Sequence, residues 1–293
     1  MDVEAIAARV WPGRRLEVEP LGGGITNRNF RVDVDGRSYV LRIGGKDTHL
    51  LGIDRHAEYM AASAAASVGV GPEVVAFIEP EGYLVTRFVE GSAAPPEELR
   101  RPEGLRETAE LLRRFHEGRR IPARFDSFRV VEAYRASAVA HGVEVPAAYE
   151  DAKAVADRIE WALGRPQSVP CHNDLLNANF IRSPDGIRIV DWEYAGMGDR
   201  FFDLANFAVN HELDSDAELL FLDAYFGEIR ADEVAHMRVM RFMSDFREAM
   251  WGVLQQGISE LDFDFVDYAG THFRRLERTA ASRPFREALA EAA

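Results

Sequence analysis

Cysteine is almost absent from this sequence of 293 residues, in which Cys171 stands alone. One cysteine cannot form a disulfide within the chain, so a disulfide-stapled fold is excluded, and no paired cysteine or histidine spacing indicates a zinc site. A long apolar run is also missing, because the weakly polar stretch 59–70 is interrupted by Ser63, Ser67 and Gly69. Such a stretch is too short and too polar to cross a bilayer, and we expect no membrane insertion.

Positive charge is scarce as well, since 35 Lys and Arg residues oppose 49 Asp and Glu residues, for a net charge of −14. This excess of negative charge disfavours nucleic acid and anionic membranes as partners, whereas a small cationic molecule remains a suitable ligand. The first residues, MDVEAIAARVWPGRR, lack a basic start followed by an apolar core, so the expected location is cytoplasmic. Nothing in the sequence indicates an oligomeric state.

The length corresponds to about two domains of roughly 150 residues each, and the periodicity changes along the chain. Alternating, β-rich segments and turn residues predict strands at 16–21, 29–34, 38–43, 74–78 and 83–89. One helix of small apolar residues is predicted within 54–68. After the Gly-, Ser- and Pro-containing segment 91–102 the pattern is helical, except for a hairpin around residues 183–186. We therefore predict an α+β fold with a small antiparallel sheet and one helix in residues 1–90 and a larger α-helical lobe in residues 91–293.

Residues 172–179, HNDLLNAN, fit the pattern H-x-D-L-x-x-x-N of kinase catalytic loops. In that pattern Asp174 orients and deprotonates an incoming hydroxyl, and Asn179 holds a magnesium ion. Asp191 follows a short apolar strand twelve positions later and supplies the carboxylate oxygen that Mg²⁺ prefers. Each residue alone is as expected in an ordinary turn or helix cap, but the three at this spacing indicate phosphoryl transfer.

The glycine-rich turn before the second strand is the candidate phosphate-covering loop, because glycine lets backbone amides approach anionic oxygens. Its predicted contacts are Gly23, Gly24, Thr26 and Asn27. The motif is weak by itself, since Asn27 stands where the third glycine of G-x-G-x-x-G would fall, and an ordinary turn explains it equally well.

A cation on the third strand strengthens the interpretation of that turn. Arg42 stands where a protein kinase carries lysine, and its planar guanidinium can hold phosphate oxygens. Glu58 on the following helix is the expected ion-pair partner, although a surface glutamate is an almost equal alternative. The main chain of Arg87, Phe88 and Val89 is expected to contact adenine.

The sequence resembles the choline/ethanolamine kinase family, within the aminoglycoside phosphotransferase-like kinases of protein-kinase-like fold. The resemblance rests on residues 171–179 and on 190–206, which include DWEY and FDLAN, and it extends over most of the chain. Asn173 favours choline kinases, because antibiotic kinases usually carry glycine there. The resemblance implies ATP and Mg²⁺ as cofactors, transfer of the γ-phosphoryl group to the hydroxyl of choline or a related amino alcohol, and a bracing role for Asp203.

The resemblance also implies an acceptor pocket bordered by a late tryptophan-bearing helix. Trp251 lies on that helix, and Glu248 stands where the family often has a second tryptophan. A quaternary ammonium is held by aromatic faces and carboxylates, so aromatic and acidic residues are the candidates. The predicted substrate contacts are Asp174, Glu193, Tyr194, Glu248 and Trp251, with Trp192, Asp199 and Asp203 as further candidates.

Alternatives remain for the site and for the function. Core packing explains Trp251 equally well. The acceptor alternatives are ethanolamine, thiamine, a methylthio sugar or an aminoglycoside, and GTP is an alternative to ATP. A nucleotide-binding regulatory protein without turnover is the alternative from another class.

Overall fold

The N-terminal part is built on an antiparallel sheet of five strands in the order β1-β2-β3-β5-β4. The structure is a computed structural model that describes residues 2–22 and 27–292. The strands are β1 (Glu17–Leu21), β2 (Asn27–Val34), β3 (Arg37–Gly44), β4 (Val74–Ile78) and β5 (Tyr83–Arg87). Asp35 and Gly36 both have positive φ and form the two-residue turn between β2 and β3, as the Asp-Gly pair predicted.

Helix α2 (Arg55–Ser67) packs on β4 of that sheet, and most of its buried residues are alanines. Asp54 caps the helix by accepting the Ala57 N–H at 2.9 Å. Ala61 and Ala65 belong to the large core, which also includes Leu84 of the sheet, whereas a separate small core surrounds Leu41. The small side chains of these alanines let α2 pack closely on its neighbours.

Two short helical segments of this part escaped the sequence prediction. Helix α1 (Val3–Ala8) precedes the sheet, and a 3-10 turn covers Thr48–Leu51. Each is too short to show a full period of apolar residues.

The C-terminal part is mainly helical, as predicted, and its longest helix lies at the centre. The helices are α3 (Pro96–Leu99), α4 (Pro102–His116), α5 (Ser127–Ala140), α6 (Ala148–Leu163), α7 (Arg200–Asn210), α8 (Ser215–Phe226), α9 (Ala231–Ile258), α10 (Phe265–Ala281) and α11 (Arg283–Ala292). Helix α9 packs against α5, α6, α7, α10 and α11, and every residue from Phe242 to Gln255 is buried. Among the described residues, no helix is both long enough and apolar enough to cross a membrane.

Short strands place the predicted catalytic segments between the two parts. They are β6 (Ser92–Ala93), β7 (Ser168–Cys171), β8 (Phe180–Ser183), β9 (Gly186–Ile189) and β10 (Gly196–Asp199). The predicted hairpin is β8–β9, which β6 extends, and β7 pairs separately with β10. The structure therefore confirms the α+β fold with a small antiparallel sheet and a larger helical part, while the lobe boundary after residue 90 stays a prediction.

Candidate active site

The loop after β7 is held by two polar side chains of α7. The Asp203 carboxylate accepts the backbone N–H groups of His172 at 2.7 Å and Asn173 at 2.6 Å. One turn further, Asn206 accepts the N–H of Leu175 at 2.6 Å. Buried backbone donors need such partners, so α7 fixes the shape of the loop that carries Asp174.

Asn173 has φ of 67°, in the left-handed region that asparagine tolerates better than most residues. Its side-chain amide donates to the carbonyl of Tyr194 at 3.0 Å and thereby ties the loop to the segment after Asp191. A glycine at this position would permit the same backbone conformation but would not make this bond.

Asp174 is buried, and two side chains fix its position. Asn179, in a 3-10 turn, donates from Nδ2 to the Asp174 carbonyl at 2.8 Å. Arg247 donates to Asp174 Oδ1 at 3.0 Å. Burial raises the pKa of the Asp174 carboxyl to about 7, and the charge of Arg247 opposes this rise. A carboxyl whose pKa lies near neutrality is suited to general-base work.

The structure brings the two predicted magnesium ligands to neighbouring positions. The Val190 N–H donates to the Asn179 carbonyl at 2.9 Å, so Asp191 lies next to Asn179. Because Nδ2 of Asn179 donates to the Asp174 carbonyl, Oδ1 is the side-chain atom left for a metal ion. An amide oxygen beside a carboxylate fits the oxygen preference of Mg²⁺.

Arg42 reaches the same place from β3. Its Nη1 pairs with Glu58 Oε1 at 2.9 Å, as predicted, and also with the Asp191 carboxylate. Burial alone would lower the pKa of the Arg42 guanidinium, but the carboxylates of Asp191 and Glu58 raise it above its usual value. Arg42 therefore remains charged and can bind an anion.

Glu193 contacts the charged residues around Glu58, although it was placed with Tyr194 and Trp251 among the substrate contacts in the sequence analysis. Its Oε2 accepts from Asn27 Nδ2 at 2.8 Å and from Arg55 Nη1 at 3.1 Å. Arg55 also pairs with Glu58 Oε2 at 2.7 Å, so it links two of the acids. Burial and the nearby charge of Asp191 raise the pKa of Glu193. Arg55 was missed because its single charge at the start of a helix carries no motif.

Three of the predicted substrate contacts lie together around Arg247, which contacts Asp174. Trp251 Nε1 donates to Tyr194 Oη at 3.0 Å, and Glu248 Oε2 accepts from Tyr268 Oη at 2.8 Å. Arg247 lies between them, 3.0 Å from Glu248 Oε1 and 5.3 Å from the centre of the Tyr194 ring. Trp251 is only 7% exposed, so most of its surface is packed against the core, as the alternative interpretation expects.

Two residues of this group, Arg247 and Tyr268, were missed in the sequence analysis, and one candidate aromatic residue, Trp192, lies outside the group. Arg247 lies one turn before Trp251, and this spacing is the sequence signal that could have identified it. Tyr268 comes from α10 and has no local signal. Trp192 donates to the Ile189 carbonyl at 3.2 Å and packs on Phe115, so its ring belongs to the core.

A cavity of about 350 Å³ adjoins Arg42 and Asp191, between the five-stranded sheet and the β8–β9 hairpin. Its mainly apolar lining includes the predicted adenine contacts Arg87, Phe88 and Val89, with Val40, Ala62, Leu84 and Ile181. Gly23, Gly24 and Thr26 lie outside the described residues. A larger cavity of about 480 Å³ lies between α8, α9, α10 and α11 and is lined by none of the predicted site residues.

His116, Cys171 and Asp203 lie close enough together to suggest a metal site. Hydrogen bonding explains this cluster, since the His116 Nε2–H donates to Asp203 Oδ2 at 2.9 Å and Tyr225 contacts Nδ1 at 2.7 Å. Burial raises the pKa of the Cys171 thiol well above its usual value, which keeps it protonated. The group therefore braces the loop, the role expected for Asp203.

The chain is similar in sequence to a known family and to individual kinases. Residues 17–243 match the family model described as the phosphotransferase enzyme family. The chain is 26% identical over 266 residues to protein LicA of Haemophilus influenzae, which covers 84% of this chain and 75% of that protein. It is 26% identical over 297 residues to ethanolamine kinase 2 of Rattus norvegicus, covering 90% of this chain and 76% of the relative.

The similarity extends to solved structures. A choline/ethanolamine kinase family protein from Mesorhizobium loti superposes with a TM-score of 0.84 at 31% identity, covering 100% of this chain and 99% of that one. A spectinomycin phosphotransferase in complex with ADP and its antibiotic superposes with a TM-score of 0.61 at 13% identity, which shows a shared fold.

Proposed function

The chain belongs to the phosphotransferase enzyme family, and from this premise we propose that it transfers the γ-phosphoryl group of ATP to the hydroxyl of choline or a related amino alcohol. Its relatives make it a small-molecule kinase of the choline/ethanolamine kinase type. One observation carries the proposal. Arg247 links the buried Asp174 to Tyr194, and Asn179 links Asp174 to the segment that carries Asp191.

In this proposal, Asp174 accepts the proton of the acceptor hydroxyl. Arg247 donates to Oδ1 at 3.0 Å, and Oδ2, which Asn179 Nδ2 contacts only at 3.5 Å, is proposed to face the acceptor. A base near neutrality in that position contributes about 10²- to 10⁴-fold to the rate. Most of the remaining catalysis is positioning and neutralisation of charge.

The phosphate side is assigned to residues of both lobes. Asn179 Oδ1 and the Asp191 carboxylate would hold Mg²⁺, which neutralises charge on the phosphates when it is bound. Arg42 binds phosphate oxygens, with Glu58 orienting it, and the main chain at Arg87, Phe88 and Val89 contacts adenine. The loop residues Gly23, Gly24, Thr26 and Asn27 are proposed to cover the phosphates. This division places the lobe boundary after residue 90.

An amino alcohol suits the acceptor side because aromatic faces and carboxylates bind ammonium groups. Tyr194 and Trp251 supply the faces, and Glu248 supplies negative charge. Several relatives are named ethanolamine kinases, and a similar solved structure is of a choline/ethanolamine kinase family protein. The contacts of Glu193 with Asn27 and Arg55 support a role beside the metal ligands instead of contact with the acceptor.

The proposal is tested by ADP release over choline, ethanolamine, thiamine and aminoglycosides, with ATP and GTP compared as donors. We expect Mg²⁺-dependent ADP release with an amino alcohol and ATP. Asp174→Ala is the matched control, and its turnover falls by about 10²- to 10⁴-fold while nucleotide affinity is kept. Tight ATP binding without transfer to any acceptor would contradict the proposal, and transfer only to an aminoglycoside would change the acceptor class.

A further inference from the structure

Arg247 is a buried cation in contact with the proposed base, and it was given no role in the sequence analysis. It is 1% exposed, although it lies in the middle of α9 among apolar residues. An arginine this deeply buried is costly unless its charge and its donors are matched. Its partners therefore indicate what the residue does.

One guanidinium nitrogen of Arg247 donates to the catalytic loop. Nη2 donates to the Asn173 carbonyl at 2.6 Å and to Asp174 Oδ1 at 3.0 Å. These two acceptors come from adjacent residues, one of which has left-handed backbone geometry. A planar guanidinium that binds both fixes the direction of the Asp174 carboxylate relative to its own backbone.

The opposite side of the guanidinium is also fixed. Nη1 lies 3.0 Å from Glu248 Oε1, while Glu248 Oε2 accepts from Tyr268. The guanidinium carbon lies 5.3 Å from the centre of the Tyr194 ring. Arg247 is therefore held in one place by α9, α10 and the segment after Asp191, which suits a group that must hold another residue still.

We propose that Arg247 is a positioning residue that fixes Oδ1 of Asp174, so that Oδ2 receives the proton of the acceptor hydroxyl. This inference rests on the proposed function of Asp174 as the base. Glu248 neutralises and orients Arg247, in addition to its proposed place at the acceptor. This role requires the charge and the planar shape of the guanidinium, and a neutral group of the same volume would not perform it.

Chemical rescue of Arg247→Ala tests this requirement. The variant is assayed with the acceptor that the wild type uses best, and also for slow ATP hydrolysis without acceptor, in which water takes the place of the hydroxyl. Guanidinium chloride at millimolar concentration is compared with urea, a neutral molecule of the same shape. Arg247→Lys is the conservative variant, and Arg238→Ala, on the same helix, is the control for folding.

We expect kcat of Arg247→Ala to fall about 10²-fold, because misplacing a catalytic group by about 1 Å has that effect. The KM for ATP stays within about twofold, guanidinium restores kcat at least tenfold, urea does not, and Arg247→Lys is intermediate. Equal rescue by urea, or a wild-type kcat, would overturn the inference. A lower KM for the acceptor with unchanged kcat would also overturn it, by showing that the guanidinium merely occupies the acceptor's place.

Failure of the proposed function gives a different result. If the wild type phosphorylates no amino alcohol, the acceptor assignment fails before any variant is compared. The inference about Arg247 then stands or falls on the ATP hydrolysis series alone, in which loss and rescue by guanidinium support it and their absence refutes it.

Discussion

Asp203→Asn is the substitution that most directly tests how the catalytic loop is held. Oδ2 of Asp203 accepts from the His172 N–H and from His116, and Oδ1 accepts from the Asn173 N–H. An asparagine of the same shape has one oxygen, so at best it keeps the two bonds of Oδ2. Its NH₂ group then faces the Asn173 N–H, which loses its acceptor.

The magnitude follows from these bonds. A buried donor left unsatisfied costs about 1–3 kcal/mol, and the two remaining bonds lose the charge of their acceptor at about 1 kcal/mol each. The free energy of unfolding is therefore expected to fall by about 3–5 kcal/mol. Asp174 follows the affected amides directly, so kcat falls as well.

Urea unfolding followed by far-ultraviolet circular dichroism measures this loss, with turnover assayed below the transition. Asp214→Asn is the matched control, because Asp214 is an exposed cap of α8 and asparagine caps equally well. A loss of less than about 0.5 kcal/mol in Asp203→Asn would refute the reasoning, because a surface substitution has an effect of that size.

Three further predictions concern the metal, the nucleotide and the acid stability. Asp191→Ala is expected to abolish the increase in ATP affinity that Mg²⁺ produces, measured by titration calorimetry with and without the ion, and an unchanged increase would remove Asp191 from the metal site. Arg42→Met is expected to raise the KM for ATP about tenfold because a phosphate contact is lost, whereas the exposed Arg37→Met on the same strand leaves it unchanged. Burial lowers the pKa of His211 from 6.5 to about 4, so the unfolded chain takes up a proton on this residue at a higher pH than the folded protein does. The free energy of unfolding of the wild type is therefore expected to fall by about 3 kcal/mol more than that of His211→Phe between pH 6.5 and 4. Urea unfolding at both pH values measures the two changes, and an equal fall in the two proteins would contradict this prediction.

The sequence predicts most of the sheet and the charged half of the site, because both depend on local patterns. Asp174, Asn179 and Asp191 are recognised by their spacing, and Arg42 by its place on a strand. The Arg42–Glu58 pair follows from the order of strand and helix, and the structure contains it. The catalytic and metal roles of these residues stay predictions.

The acceptor side depends on contacts between distant segments, which local patterns do not encode. Arg247 resembles a surface residue in the sequence, yet it lies in the stretch 242–255 of α9, where every residue is buried. Tyr268 reaches Glu248 only because α10 packs on α9. Glu193 was grouped with Tyr194 as its chain neighbour, but the two residues lie in a turn, and their side chains contact different segments of the chain.

The most direct test of the central claim is ³¹P NMR of the products formed from ATP, Mg²⁺ and an amino alcohol. The proposed function predicts a new phosphomonoester of the acceptor in equal amount to ADP, and none with Asp174→Ala. ATP converted only to ADP and inorganic phosphate, with every amino alcohol in the panel recovered unchanged, would contradict it.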